Sequence, residues 1–202
     1  MRKLAKPTLV TLALSGAAVL GYLAYRVTLH APSGDDPAAD TAPAGLRDTL
    51  PSFTLENLDG EQQSIRSWPG KPLVVNFWAT WCAPCLREIP MLKTFQEANP
   101  WLTVVGIAVD REEPVRAFAE DMDFNYPILM GEADAVNAAA SFGVEFVALP
   151  FTIFTDAEGR TLGVHTGELH PEHLDNLLAV LGDLRSGRAS LEDARARIAG
   201  TR

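Results

Sequence analysis

Cysteine is scarce in this chain. Of 202 residues only Cys82 and Cys85 carry a thiol, and two residues separate them. Two cysteines cannot build a disulfide framework, and the loop closed by C-x-x-C is too short to staple a fold. Histidine is scarce too: His30, His165, His170 and His173. A structural zinc takes four ligands. His170-x-x-His173 has a spacing that suits a metal, but the pattern around it puts His170 at a helix cap and His173 on an exposed first turn. All these histidines, His165 included, read as surface residues, so no metal site is expected. Basic residues are outnumbered, 17 against 26 acidic, for a net charge of −9. Nucleic acid needs a basic face, so no nucleic-acid partner is expected. Internal repeats are absent.

Acidic residues are missing from the first 30 positions, which hold four of the basic ones and leave the remainder near −13. The acidity of that remainder serves solubility rather than a dedicated basic partner. Arg2, Lys3 and Lys6 precede an apolar run from about Pro7 to Tyr25, closed by Arg26. As a helix the run is close to a bilayer span, at its short end. A cleaved signal peptide needs small residues just after the run. The segment "YRVTLHAPSG" puts Tyr25, Arg26 and His30 there instead. No cysteine follows, which excludes lipid attachment at one. An uncleaved signal-anchor over 1–30 is therefore preferred to a cleaved leader, with a cytoplasmic N-terminus and an exported remainder. Residues 31–46, rich in Pro, Ala, Gly and Asp, read as a flexible tether.

Beyond the tether, strand and helix signals alternate. Residues 52–65 hold two short strand-like runs about Asp59-Gly60, a hairpin turn signal. "PLVVNFWA" (72–79) reads as a strand buried on both faces. Residues 84–99 read as a helix with Pro84 near its start and a kink at Pro90. A second buried strand covers 102–110, and a helix 113–122. A short extended run lies at 126–130 and a helix at 132–142. An antiparallel hairpin covers 151–156 and 161–166. In the helix at 171–184, Leu174, Leu177, Leu178 and Leu181 share a face. A last helix, about 190–199, opens on Ser190 with Asp193 three residues on, a capping-box pattern. The pattern predicts an α/β domain over 47–185, its central mixed sheet covered by helices on both faces, and a short helical extension over 186–202.

The cysteines sit where the strand at 72–79 gives way to a helix. A sulfur there meets unpaired backbone N–H groups and the positive end of the helix dipole, which favour the thiolate, the nucleophile of disulfide exchange. A second thiol one turn along can attack the mixed disulfide and release the product. A redox pair is the preferred reading over half a metal site or two inert thiols. Pro84 has no N–H to offer the Cys82 sulfur, Ala83-Pro84 contains no base, and Glu88 is an anion one turn beyond Cys85. Each disfavours the thiolate, and a less stabilised reduced form is a better reductant. Glu88 is also i+3 from Cys85. On a solvated face it would be a surface charge; buried, it would carry a proton to or from the Cys85 sulfur.

"GKPLVVNFWATWCAPCLREIP" (70–90), with Asp59-Gly60 and Trp68 ahead of it, resembles the TlpA/ResA-type membrane-anchored thioredoxin-like proteins, a group that includes the CcmG type. The resemblance runs from about 50 to 182. It implies a thioredoxin fold with an N-terminal β-hairpin and a central insertion at about 113–142. It implies that Cys82 is the exposed nucleophile, Cys85 the resolving cysteine and Glu88 a buried glutamate. Leu149-Pro150 would be a cis-proline bond facing the dithiol. Trp81, Ala83, Pro84, Leu149 and Pro150 would then contact substrate. Many relatives carry Gly two residues before that proline and Thr or Glu after it. Ala148 and Phe151 stand there in this chain, which favours a TlpA-like over a CcmG-like role.

The expected function is a membrane-anchored periplasmic thiol:disulfide oxidoreductase without a cofactor. It would reduce disulfides in exported proteins of cytochrome c or cytochrome oxidase maturation and be recharged by a membrane electron donor. Two other readings use the same cysteines: a disulfide oxidant or isomerase, and a copper(I)-binding module, since soft thiolates hold copper(I).

Overall fold

The computed structural model describes residues 45–145 and 148–200. The anchor expected over 1–30, and all but the last two residues of the tether, lie outside them. Among the described residues no helix is long and apolar enough to cross a membrane.

Among the described residues seven strands form one mixed sheet in the order β2-β1-β5-β4-β3-β6-β7. At its centre lies β3 (Leu73–Trp78), all six residues buried. It runs parallel to β4 (Thr103–Val109) and antiparallel to β6 (Phe151–Thr155). Alternation along β3 sends Val74 and Trp78 to one face and Leu73, Val75 and Phe77 to the other, where separate apolar cores form. A strand with a core on each face cannot show the polar alternation of a half-exposed one. Asn76 is the exception, a fully buried amide amid these apolar neighbours.

The hairpin of β1 (Thr54–Asn57) and β2 (Gln62–Ser64) forms around Asp59-Gly60, as expected. Asn57 closes the turn, its Oδ1 taking the N–H groups of Asp59 and Glu61 while Gly60 holds φ 81°. The central insertion supplies α2 (Glu112–Met122), β5 (Ile128–Gly131) and α3 (Ala133–Ser141). It does more than insert: β5 runs parallel to β4 and antiparallel to β1, so it joins the hairpin to the sheet. Gly106 of β4 makes room for this packing. A Cβ there would lie 2.7 Å from Ile128 Cδ1 and 3.1 Å from the Trp78 indole nitrogen.

One core joins the dithiol helix α1 (Ala83–Ala98) to Val115 of α2 and to α4 (Pro171–Arg185), α5 (Leu191–Gly200) and β7 (Thr161–Thr166). The other collects Ala135, Ala138 and Ala139 of α3 with Phe77, Phe142 and Phe151. α1 runs through Pro90 without interruption. The predicted capping box is present at α5: Ser190 N–H and hydroxyl reach Asp193, whose own N–H returns to Ser190 Oγ.

That last helix is not an appendage. Ala194 and Ile198 are buried in the core, and Ile198 sits so closely over β7 that a Cβ on Gly163 would come within 2.5 Å of it. The boundary drawn at residue 185 is corrected accordingly; residues 186–200 complete the domain's core. Ile198→Ala is expected to destabilise the protein by roughly 2–4 kcal/mol, the cost of truncating a buried isoleucine. Urea unfolding reads the change, and a loss below about 0.5 kcal/mol would restore the appendage.

Candidate active site

The chain leaves the C-terminal end of β3 through Ala79, Thr80 and Trp81 and enters α1 at Cys82, its N-cap. The turn is held from β4's side: Asp110 Oδ2 accepts the Thr80 N–H at 3.1 Å and its hydroxyl at 2.5 Å. Cys82 and Cys85 are joined by a disulfide, with Cα atoms 5.3 Å apart. The Cys85 N–H donates to Cys82 Sγ at 3.4 Å. Pro84, at the second helical position, has no N–H to add.

Cys82 is 5% exposed and Cys85 fully buried. Cys82 is the more accessible of the two sulfur-bearing residues, but "exposed" holds for it only relative to Cys85, because the core closes over most of Cys82. Trp81 beside it is 69% exposed, and Ala83 lies open on the first turn. Leu149-Pro150 is a cis bond immediately before β6. Since Phe151 pairs with Phe77, this bond lies at the same end of the sheet as the dithiol turn. Pro150 is buried and its carbonyl takes the Gly167 N–H; Leu149 is half-buried and packs against the core that holds both cysteines.

Glu88 lies one turn past Cys85 on the same buried face of α1 and is 1% exposed. Its Oε1 accepts from Asn76 Nδ2 at 2.7 Å and its Oε2 from the Leu169 N–H at 2.6 Å. Burial pushes the carboxyl up to about 7; the bonds from Leu169 and Asn76 pull it back, and the charge of Glu168 adds a little to the rise. The solvated-face reading of Glu88 is thereby removed. At this pKa a carboxyl can both take and give a proton near neutrality.

Residues 167–170, between β7 and α4, tie the site together. Gly167 N–H binds Pro150, the Glu168 carboxylate pairs with Arg87 of α1, and Leu169 N–H holds Glu88. Arg87 holds the Glu168 carboxyl below its usual range. At the start of α4 the sequence reading of the histidines needs correcting. His173 is buried, not exposed. Its Nδ1 accepts the His170 N–H at 2.9 Å, and its ring lies 4.0 Å from that of His165. The side chain folds back under the helix start, as the third helical residue does in a capping box. Burial, with the neighbouring His165 next in size, lowers its pKa.

Sequence reasoning missed Asn76, Thr80, Asp110, Thr152 and Leu169. One signal was available: Asn76 is the lone polar residue in "PLVVNFWA". The others act through contacts that no local spacing reveals.

A family model described as Redoxin matches residues 46–181. The chain belongs to the Redoxin family. It is 35% identical over 133 residues to the thioredoxin-like protein YneN of Bacillus subtilis, covering 63% of this chain and 75% of that protein. To the thiol-disulfide oxidoreductase ResA of Geobacillus thermodenitrificans it is 32% identical over 136 residues, covering 64% and 76%. The crystal structure of a thiol:disulfide interchange protein of the thioredoxin family from Chlorobium tepidum superposes with a TM-score of 0.60 at 30% identity, covering 68% of this chain and 99% of that one. The sheet and helices are those of a thioredoxin fold, as the sequence resemblance implied. With a disulfide across C-x-x-C at the start of α1, this Redoxin-family chain is a thiol-disulfide oxidoreductase of the ResA type.

Proposed function

We propose that the chain works in the reducing direction, on disulfides of exported proteins, from a membrane-anchored position outside the cytoplasm. The observation that carries the direction is the poverty of thiolate stabilisation at Cys82. Among the described residues one first-turn N–H, that of Cys85, reaches its sulfur, and Pro84 withholds another. A thiolate left weakly stabilised gives up its electrons readily.

In the reduced protein the Cys82 thiolate attacks one sulfur of a substrate disulfide, forming a mixed disulfide and releasing one substrate thiolate. Cys85 passes its proton to Glu88 and attacks the Cys82 sulfur. The second substrate thiolate leaves, and the protein keeps the two-electron disulfide of the oxidised state. A dithiol donor in the membrane then restores it. Substrates of cytochrome c or cytochrome oxidase maturation fit the reading, because they present thiols that must stay reduced in an oxidising compartment.

The reduction potential tests the direction. A value near that of thioredoxin, about −270 mV, is expected; one near about −120 mV, the strong-oxidant range, would reverse it. Anchoring has its own test. Arg2, Lys3 and Lys6 before the apolar run, with no small-residue site after it, predict a native protein that stays with the membrane fraction and keeps residues 1–30. A mature N-terminus near residue 31, read by mass spectrometry, would remove the anchor.

A further inference from the structure

Three side chains beneath α1 form a closed polar set in an apolar core. Asn76 and Thr152 are fully buried and Glu88 is 1% exposed. Asn76 and Thr152 are direct cross-strand partners on β3 and β6. Asn76 Nδ2 donates twice, to Glu88 Oε1 at 2.7 Å and to Thr152 Oγ1 at 3.0 Å. Its Oδ1, equally buried, has no hydrogen-bond partner among the described residues.

This arrangement suits an ionised Glu88, which only accepts. A protonated Glu88 does not suit it. Leu169 N–H occupies Oε2, which leaves the proton to Oε1. There an O–H would face an N–H, two donors without an acceptor. A half-turn of the amide about its Cβ–Cγ bond exchanges nitrogen and oxygen in place. Oδ1 then accepts from the Glu88 O–H, and from the Thr152 hydroxyl, whose hydrogen rotates to suit. Either protonation state thus finds an orientation with two hydrogen bonds, and either leaves one atom of the amide unpaired. Each protonation state therefore keeps one buried atom of the amide unpaired, Oδ1 in the first orientation and Nδ2 in the second, and neither satisfies the set completely.

We propose that Asn76 is a positioning residue for the proton on Glu88, its side-chain amide turning over each time that carboxyl gains or loses the proton, with Thr152 as the pivot partner in both states. The inference rests on Glu88 as the carrier of the Cys85 proton. The surroundings leave Asn76 this role. Glu168 acts on Glu88 from the connector, but its own charge is engaged by Arg87. Tyr126, ahead of β5, feels the Glu88 charge, and burial keeps its phenol neutral. His173 is occupied by the His170 N–H. Cys85 lies on the same helix face and is in the disulfide.

The test is a pH titration of the intact oxidised chain by NMR, in mild detergent, with carboxyl-labelled Glu and side-chain-labelled Asn. The Glu88 carboxyl carbon and both Asn76 amide protons are expected to titrate on one midpoint, the amide protons moving upfield as the pH falls and their acceptors are lost. In Glu88→Gln the Asn76 signals should hold still across the same range. Asn76 signals that stay fixed through the Glu88 midpoint, or that move equally in Glu88→Gln, overturn the proposal. A second arm uses Asn76→Asp, which puts an acceptor-only group against Oε1. Two carboxyls then share one proton, and the midpoint should rise by about one to two pH units. An unchanged midpoint would mean that position 76 does not face Glu88 Oε1, and overturns the proposal. Whether Glu88 serves the dithiol at all is read separately, in the exchange rate of Glu88→Gln, so one reading can fail without the other.

Discussion

Cys82→Ser is expected to bring reduction of a model protein disulfide down to the uncatalysed rate. Cys85 cannot replace it. Its sulfur is fully buried on the inner face of α1, whereas Cys82 sits at the N-cap beside exposed Trp81 and Ala83. A serine hydroxyl is no nucleophile toward a disulfide near neutral pH, because its ionised form is too scarce. Cys85→Ser should behave differently. Attack by Cys82 still occurs, release does not, and a mixed disulfide accumulates that can be trapped with its partner from cells. The assay is turbidity of reduced insulin, with thiol-specific mass spectrometry for the trapped species. Substantial turnover by Cys82→Ser, or mixed disulfides formed through Cys85, would overturn the assigned order of attack.

Glu88→Gln should have two effects that share one cause. The amide keeps the shape of the neutral carboxyl but carries no transferable proton, so exchange should slow by roughly a hundredfold, the low end for general acid–base catalysis. The rate profile should lose the step near pH 7. Stability should change in the opposite sense. The folded-state pKa is raised from 4.5 to about 7. Between those values the native state holds a proton that the unfolded chain has released. The contribution is whole below about pH 4.5 and is lost as the pH rises through about 7, which amounts to about 3 kcal/mol across the window. Glu88→Gln carries no such term. Its stability should stay level across the window while the oxidised wild type weakens, so the variant gains on the wild type toward pH 8. Denaturant midpoints at pH 4.5, 6 and 8 read this, and parallel curves for the two proteins would mean that Glu88 is not a buried carboxyl of raised pKa.

Much of this protein is written in short-range signals. The hairpin about Asp59-Gly60, the helix start at Cys82 with Pro84 behind it, the capping box of Ser190 and Asp193 and the apolar strand at 72–79 depend on neighbours within a few residues, and all are present in the structure. The two cysteines and their place at a helix start were legible for the same reason. Membership of α5 in the core was not, because Ile198 meets Gly163 of β7 only after the chain has returned on itself. Nor was the burial of His173, since its spacing from His170 fits an exposed first turn as well as a covered one. The state of Glu88 is the clearest case. Spacing put it on the face of Cys85 but left surface charge and buried acid equally open. The decision came from Leu169, 81 residues away, and from Asn76, which is itself held by Thr152, 76 residues further along the chain. Propensity and capping act within a turn or two of the backbone, so the sequence alone determined the dithiol and most of its scaffold. Desolvation and the hydrogen bonds that offset it depend on which distant groups close over a side chain, so only the tertiary structure decided that the glutamate beneath the dithiol can hold a proton at neutral pH.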